Sequence, residues 1–81
     1  MSPDRTVDAR KLICPLPVIR TQQMIESMAD GEQLLVIATD PGTMHDVPAW
    51  CRVHGHEVID SAEENGEFSL WIRVQKPADA P

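Results

Sequence analysis

Aromatic side chains are nearly missing from this chain, which has one Phe, two Trp and no Tyr in 81 residues. A surface that stacks unpaired bases needs aromatic faces set among cations, and Trp71 with Arg73 is too little to build one. Positive charge is also scarce: seven Lys and Arg stand against thirteen Asp and Glu, for a formal charge of −6. Phosphate backbones are bound by basic faces, so no direct binding to nucleic acid is expected. An acidic surface suits docking to basic patches on other proteins. Cysteine is limited to Cys14 and Cys51, far apart and with no C-x-x-C pair. A disulfide framework would need more, so both read as free thiols in a reducing compartment. No apolar run reaches membrane-spanning length, and Met1-Ser2-Pro3-Asp4-Arg5 lacks the apolar stretch of a signal peptide. The expected location is the cytoplasm, with no membrane contact. So short a chain has room for a single domain, folded from about residue 5 to 75 with flexible termini, and is expected to act as a monomer. It leaves no space for a large enclosed active site, so its chemistry should be surface chemistry completed by a partner.

The stretch around which the rest is organised is Arg10-Lys11-Leu12-Ile13-Cys14-Pro15-Leu16-Pro17. Proline suits the first helical turn, because the N–H it lacks would have had no intrahelical partner there and its fixed φ is helical. Cys14 therefore falls at or just before a helix N-terminus. The helix dipole favours negative charge at that end, and Arg10 and Lys11 add two nearby cations, an environment that favours a thiolate. Cys14 is accordingly the candidate reactive centre. The competing reading is that it packs as a small hydrophobe, the commoner fate of a cysteine.

Along the chain, Thr6 to Ala9 reads as a short polar strand at a sheet edge. Pro15 to Ala29 is helical, with Val18, Thr21, Met24, Ile25 and Met28 on one face and Asp30-Gly31 as the stop. Leu16 and Ile19 project off that face beside Cys14, which makes them candidates for a partner-docking patch. Gln33 to Thr39 reads as a central strand buried on both faces, and Asp40-Pro41-Gly42 as a turn. A second helix runs from about Thr43 to His54, with Val47, Trp50, Cys51 and His54 at core-like spacing and Gly55 at its stop. Thr43 with Asp46 resembles a capping box, while Pro48 leaves the start of this helix open between Thr43 and Asp46. Asn65-Gly66 signals a hairpin between Glu57 to Glu64 and Glu67 to Gln75. Phe68, Leu70, Ile72 and Val74 then face the core, Ile59 stands opposite Ile72, and Trp71 lies on the other side. The tail from Lys76 to Pro81 is expected to be disordered.

The order βαβαββ implies an α/β two-layer sandwich, a four-stranded mixed sheet with two helices on one face. If the first two strands are parallel, the loops carrying Cys14 and Asp40 to Asp46 share the rim where sites in α/β sheets usually form. His45 is then a possible base for Cys14, though no Cys-His pair is established by spacing alone. Cys14, Cys51, His45, His54 and His56 lack a metal-ligand spacing, so neither a metal nor a cofactor is expected. Cys51 falls on a core face. Asp40 and Asp46 have turn and cap roles that explain them, with partner contact as a further role.

Cys14-Pro15-Leu16-Pro17, then Ala38-Thr39-Asp40-Pro41-Gly42 with Asp46, then Cys51-Arg52 and Gly55-His56-Glu57, resemble in order the TusA/SirA-like family of small sulfur carriers. The resemblance implies that Cys14 accepts sulfane sulfur as a persulfide and relays it to a protein acceptor. The source would be a protein donor such as a cysteine desulfurase or a rhodanese. Arg10, Lys11, Pro15, Leu16, Pro17, Ile19, Asp40 and Asp46 are the residues expected to meet those partners. Such a protein is a carrier and co-substrate, an enzyme only in the loose sense of a sulfurtransferase. The family often has glycine after the arginine, where this chain has Lys11. The alternative class is a redox-sensitive regulatory or protein-interaction module without sulfur transfer.

Overall fold

The computed structural model describes residues 2–76. Its elements are β1 (Arg5–Ala9), α1 (Leu16–Glu26), β2 (Gln33–Ala38), α2 (Thr43–His54), β3 (Glu57–Glu64) and β4 (Glu67–Arg73). They form one four-stranded sheet in the order β1-β2-β4-β3. β1 and β2 are parallel, and β4 runs antiparallel to both β2 and β3. The expected βαβαββ mixed sheet is thus the observed one, with polar β1 at an edge.

Alternation in the strands decides which face carries the helices. In β2, Leu34, Val36 and Ala38 are fully buried, and in β4 Leu70 and Ile72 are too, continuing to Val74. Their neighbours Gln33, Leu35 and Ile37 are only half-buried. The expectation of a strand buried on both faces is therefore corrected: both helices cover one side, and the apolar run of β2 is half open on the other. The core closes with Ile25 from α1, Met28 just beyond its end, and Val47 and Cys51 from α2. His54, at core-like spacing, is exposed and instead packs its ring on Trp50, centroids 4.5 Å apart.

α1 is shorter than expected. Ser27 donates its hydroxyl to the Met24 carbonyl at 2.7 Å, and the N–H groups of Ser27 and Met28 bond back three residues rather than four. Tightening of this kind ends a helix before Gly31, whose φ of 87° serves the following turn instead. α2 starts at Thr43 with Gly42 as its cap and no side-chain cap bond, so Thr43 and Asp46 do not form a capping box and Pro48 lies inside the helix. Gly55 ends it at φ 82°, with its N–H on the Cys51 carbonyl.

Asn65 and Gly66 both take positive φ, 53° and 81°, the pattern of a tight primed turn. The hairpin is not regular throughout. Asp60 pairs with Trp71 but Val58 with Ile72, so Ile59 is the extra residue of a bulge and does not stand opposite Ile72. Lys76 is not loose: its N–H bonds Asp30 at 2.8 Å, and its ammonium reaches the Met28 carbonyl. The remainder of the expected tail, residues 77–81, lies outside the described residues.

Candidate functional site around Cys14

Parallel pairing of β1 with β2 sets Ala9 beside Ala38, so the loops that follow leave the sheet side by side. They are tied together at once. Lys11 donates its N–H to Thr39 Oγ1 at 2.8 Å, and Cys14 donates its N–H to Asp40 Oδ2 at 2.9 Å. Lys11 holds a φ of 67°, in the left-handed region that glycine occupies at least cost.

Cys14 is exposed, and its thiol donates to Asp46 Oδ2 at 3.1 Å. Asp40 uses its second oxygen on the Gly42 N–H at 3.1 Å, and these two backbone bonds hold its carboxyl below the usual range. Two carboxylates therefore stand over the sulfur. The bond to Asp46, then loss of solvent, then the charges of Asp46 and Asp40 push the Cys14 thiol above its ordinary range.

This reverses the expected electrostatics, for two reasons. Pro15 and Pro17 have no N–H to offer, and Leu16 spends its own on the Ile13 carbonyl at 2.9 Å, so the start of α1 presents few donors to the sulfur. Arg10 is turned elsewhere. Its guanidinium grips both oxygens of Asp8, at 2.9 and 3.0 Å, with Glu67 at 3.6 Å, and holds Asp8 down to about 2. It is Asp46, and not His45, that bonds the thiol. Among the described residues, no three of the His, Cys, Asp and Glu side chains gather as metal ligands.

The other candidate residues divide by burial. Pro15, Leu16 and Ile19 are exposed around the thiol, Leu16 to 41 % and Ile19 to 40 %. Pro17 is fully buried, under the first turn of α1, and so is corrected from a docking residue to a core one. Thr21 donates its hydroxyl to the Pro17 carbonyl at 2.8 Å. Ile13 was missed by the sequence reading and is 72 % exposed immediately before Cys14. It lies in a loop, where no periodicity marks a face. Cys51, by contrast, is buried in the core, and burial pushes its thiol up to about 11.

An exposed cysteine, set before a Pro-Leu-Pro run on the shared rim of two parallel strands, marks a small α/β domain that presents one surface thiol. A family model described as sulfurtransferase TusA matches residues 5–74, and the chain belongs to this family. It is 45 % identical over 78 residues to a sulfur carrier protein TusA of Pseudomonas putida strain GB-1, covering 96 % of this chain and 95 % of that one. It is 41 % identical over 70 residues to the protein of the same name in Allochromatium vinosum, covering 86 % and 92 %. Among solved structures, a SirA-like protein from Desulfitobacterium hafniense superposes with a TM-score of 0.77 at 22 % identity, covering 89 % of this chain and 99 % of that one. That last likeness concerns the fold. No helix among the described residues is long and apolar enough to cross a membrane.

Proposed function

We propose that this chain carries sulfane sulfur as a persulfide on Cys14, taking it from one protein and giving it to another. The observation that carries the reading is the exposed Cys14 thiol, in a chain whose second cysteine is buried with its thiol pushed up to about 11. A carrier must admit two successive partners to one sulfur atom. A thiol on an open rim, ringed by Ile13, Leu16 and Ile19 and not enclosed in a pocket, meets that demand. Donors of the desulfurase or rhodanese kind would dock on this rim, as would the acceptor. The chain would work as a monomer in the reducing cytoplasm, where both thiols stay free.

The test is mass spectrometry after incubation with a sulfur donor. A gain of one sulfur atom is expected on the Cys14 peptide, lost in Cys14→Ser and kept in Cys51→Ser. Sulfur found on Cys51, or on neither cysteine, would overturn the proposal.

A further inference from the structure

Two carboxylates from other elements of the fold flank Cys14. From α2 comes Asp46, whose Oδ2 accepts the thiol proton at 3.1 Å, and from the loop after β2 comes Asp40, which holds the Cys14 N–H. Within its own loop, Arg10 is committed to Asp8 and Glu67, and the exposed Lys11 forms no ion pair with Asp40 or Asp46. The two carboxylates are close to each other as well. A Cβ placed on Gly42 would lie 3.5 Å from Asp40 Oδ1 and 3.7 Å from Asp46 Oδ2. Asp46 also sits in the first turn of α2, the end of a helix where negative charge is favoured. A nucleophile surrounded in this way is withheld as S–H.

We propose that Asp46 sets the proton state and the donor preference of Cys14: it keeps the thiol protonated in the free chain and favours sulfur donors that bring a positive group against the Asp40–Asp46 pair. This rests on the persulfide reading above. In the loading step the Cys14 sulfur attacks the outer sulfur of a donor persulfide, R–S–SH. A new S–S bond forms on Cys14 as the donor's S–S bond breaks, and the electron pair leaves with the donor sulfur. The proton that Cys14 gives up ends on that sulfur, so R–S–SH and Cys14–SH become R–SH and Cys14–S–SH with no net oxidation. A cation on R offsets the carboxylates at the moment the thiolate is needed, whereas an anion on R adds to the repulsion.

Two measurements on the wild type, Asp46→Asn and Asp40→Asn test this, with melting temperature confirming that each variant folds. The first is iodoacetamide alkylation of Cys14 against pH, read on the Cys14 peptide. Asp46→Asn should move the midpoint down and raise the neutral-pH rate several-fold, and Asp40→Asn should do so less. The second is the ratio of loading rates with cysteamine persulfide, which is cationic, and glutathione persulfide, which is anionic. Thiolate content cancels in that ratio. The wild type should prefer the cationic probe, and Asp46→Asn should lose most of the preference. An unchanged midpoint, or a preference untouched by Asp46→Asn, would overturn the proposal. Should Asp46→Asn fail to fold, Asp46→Ser replaces it in both arms. If neither persulfide loads Cys14 in any variant, the carrier reading fails, while the alkylation profile still decides whether Asp46 keeps the thiol protonated.

Discussion

Ile13→Ser is the sharpest probe of the docking rim. Ile13 is 72 % exposed, so its side chain contributes little to the isolated fold and a partner has most of its surface left to cover. Full burial of an aliphatic side chain is worth about 1.5 to 3 kcal/mol, and the uncovered share of Ile13 therefore about 1 to 2 kcal/mol. That corresponds to roughly a five- to thirtyfold weaker encounter with a protein donor or acceptor. The uncovered shares of Leu16 and Ile19 are 41 % and 40 %. They yield about 0.6 to 1.2 kcal/mol each, or roughly three- to sevenfold. These two are more than half covered already, so their serine variants also lose helix packing and some melting temperature. Ile13→Ser should not. The assay is sulfur transfer to a protein partner across a concentration series, with alkylation of Cys14 and thermal melting in parallel. The expected pattern is a raised half-saturation concentration with unchanged alkylation and melting. Equal slowing of transfer and of alkylation would show that Ile13 shapes the thiol and not the docking surface, and would refute the argument.

Cys51→Ser puts a hydroxyl into the core and should cost about 1 to 3 kcal/mol by chemical denaturation while leaving sulfur loading intact. The buried thiol titrates near 9 when unfolded and at about 11 when folded, so the native state keeps its proton longer. Stability should accordingly fall as pH rises through that window, and Cys51→Ala should lack this part of the alkaline loss. Gly55→Ala forces a Cβ onto a residue at φ 82° with no atom within 4 Å to blame, so its cost is backbone strain alone, about 1 to 2 kcal/mol. At this chain length a loss of 1 kcal/mol lowers the melting temperature by about 4 to 8 °C, which calorimetry will read directly.

The fold was legible because its periods are clean. Phe68, Leu70, Ile72 and Val74 alternate, Thr21, Ile25 and Met28 repeat on a helical face, and Asn65-Gly66 fixes the hairpin. Cys14 was legible for the opposite reason, as a reactive side chain set against two prolines. What lay beyond reading was its electrostatics. The partners of Cys14 stand 26 and 32 residues away in sequence, where local charge counting could not find them. The cation placed beside it by sequence is held mainly by Asp8, two residues before it, with Glu67 of β4 at 3.6 Å. The bulge at Ile59 left no mark in the hydrophobic pattern, so the register read from the turn holds from Glu64 to Asp60 and is one residue off beyond it, at Val58 and Glu57. Pro17 was grouped with its exposed neighbours by motif, whereas helical phase already placed it near Thr21, its partner in the core.

The long reach of the two carboxylates to Cys14 makes the thiol a reporter of the chain's own folding. Both bonds require β1, β2 and α2 to be assembled, so neither survives when the sheet comes apart. An unfolded chain then carries an ordinary thiol, more acidic than the native one. Brief exposure to an alkylating agent at neutral pH will therefore mark unfolded molecules faster than folded ones, although Cys14 is open to solvent in both. Cys51 tells the two populations apart by its burial, whereas at Cys14 acidity alone separates them.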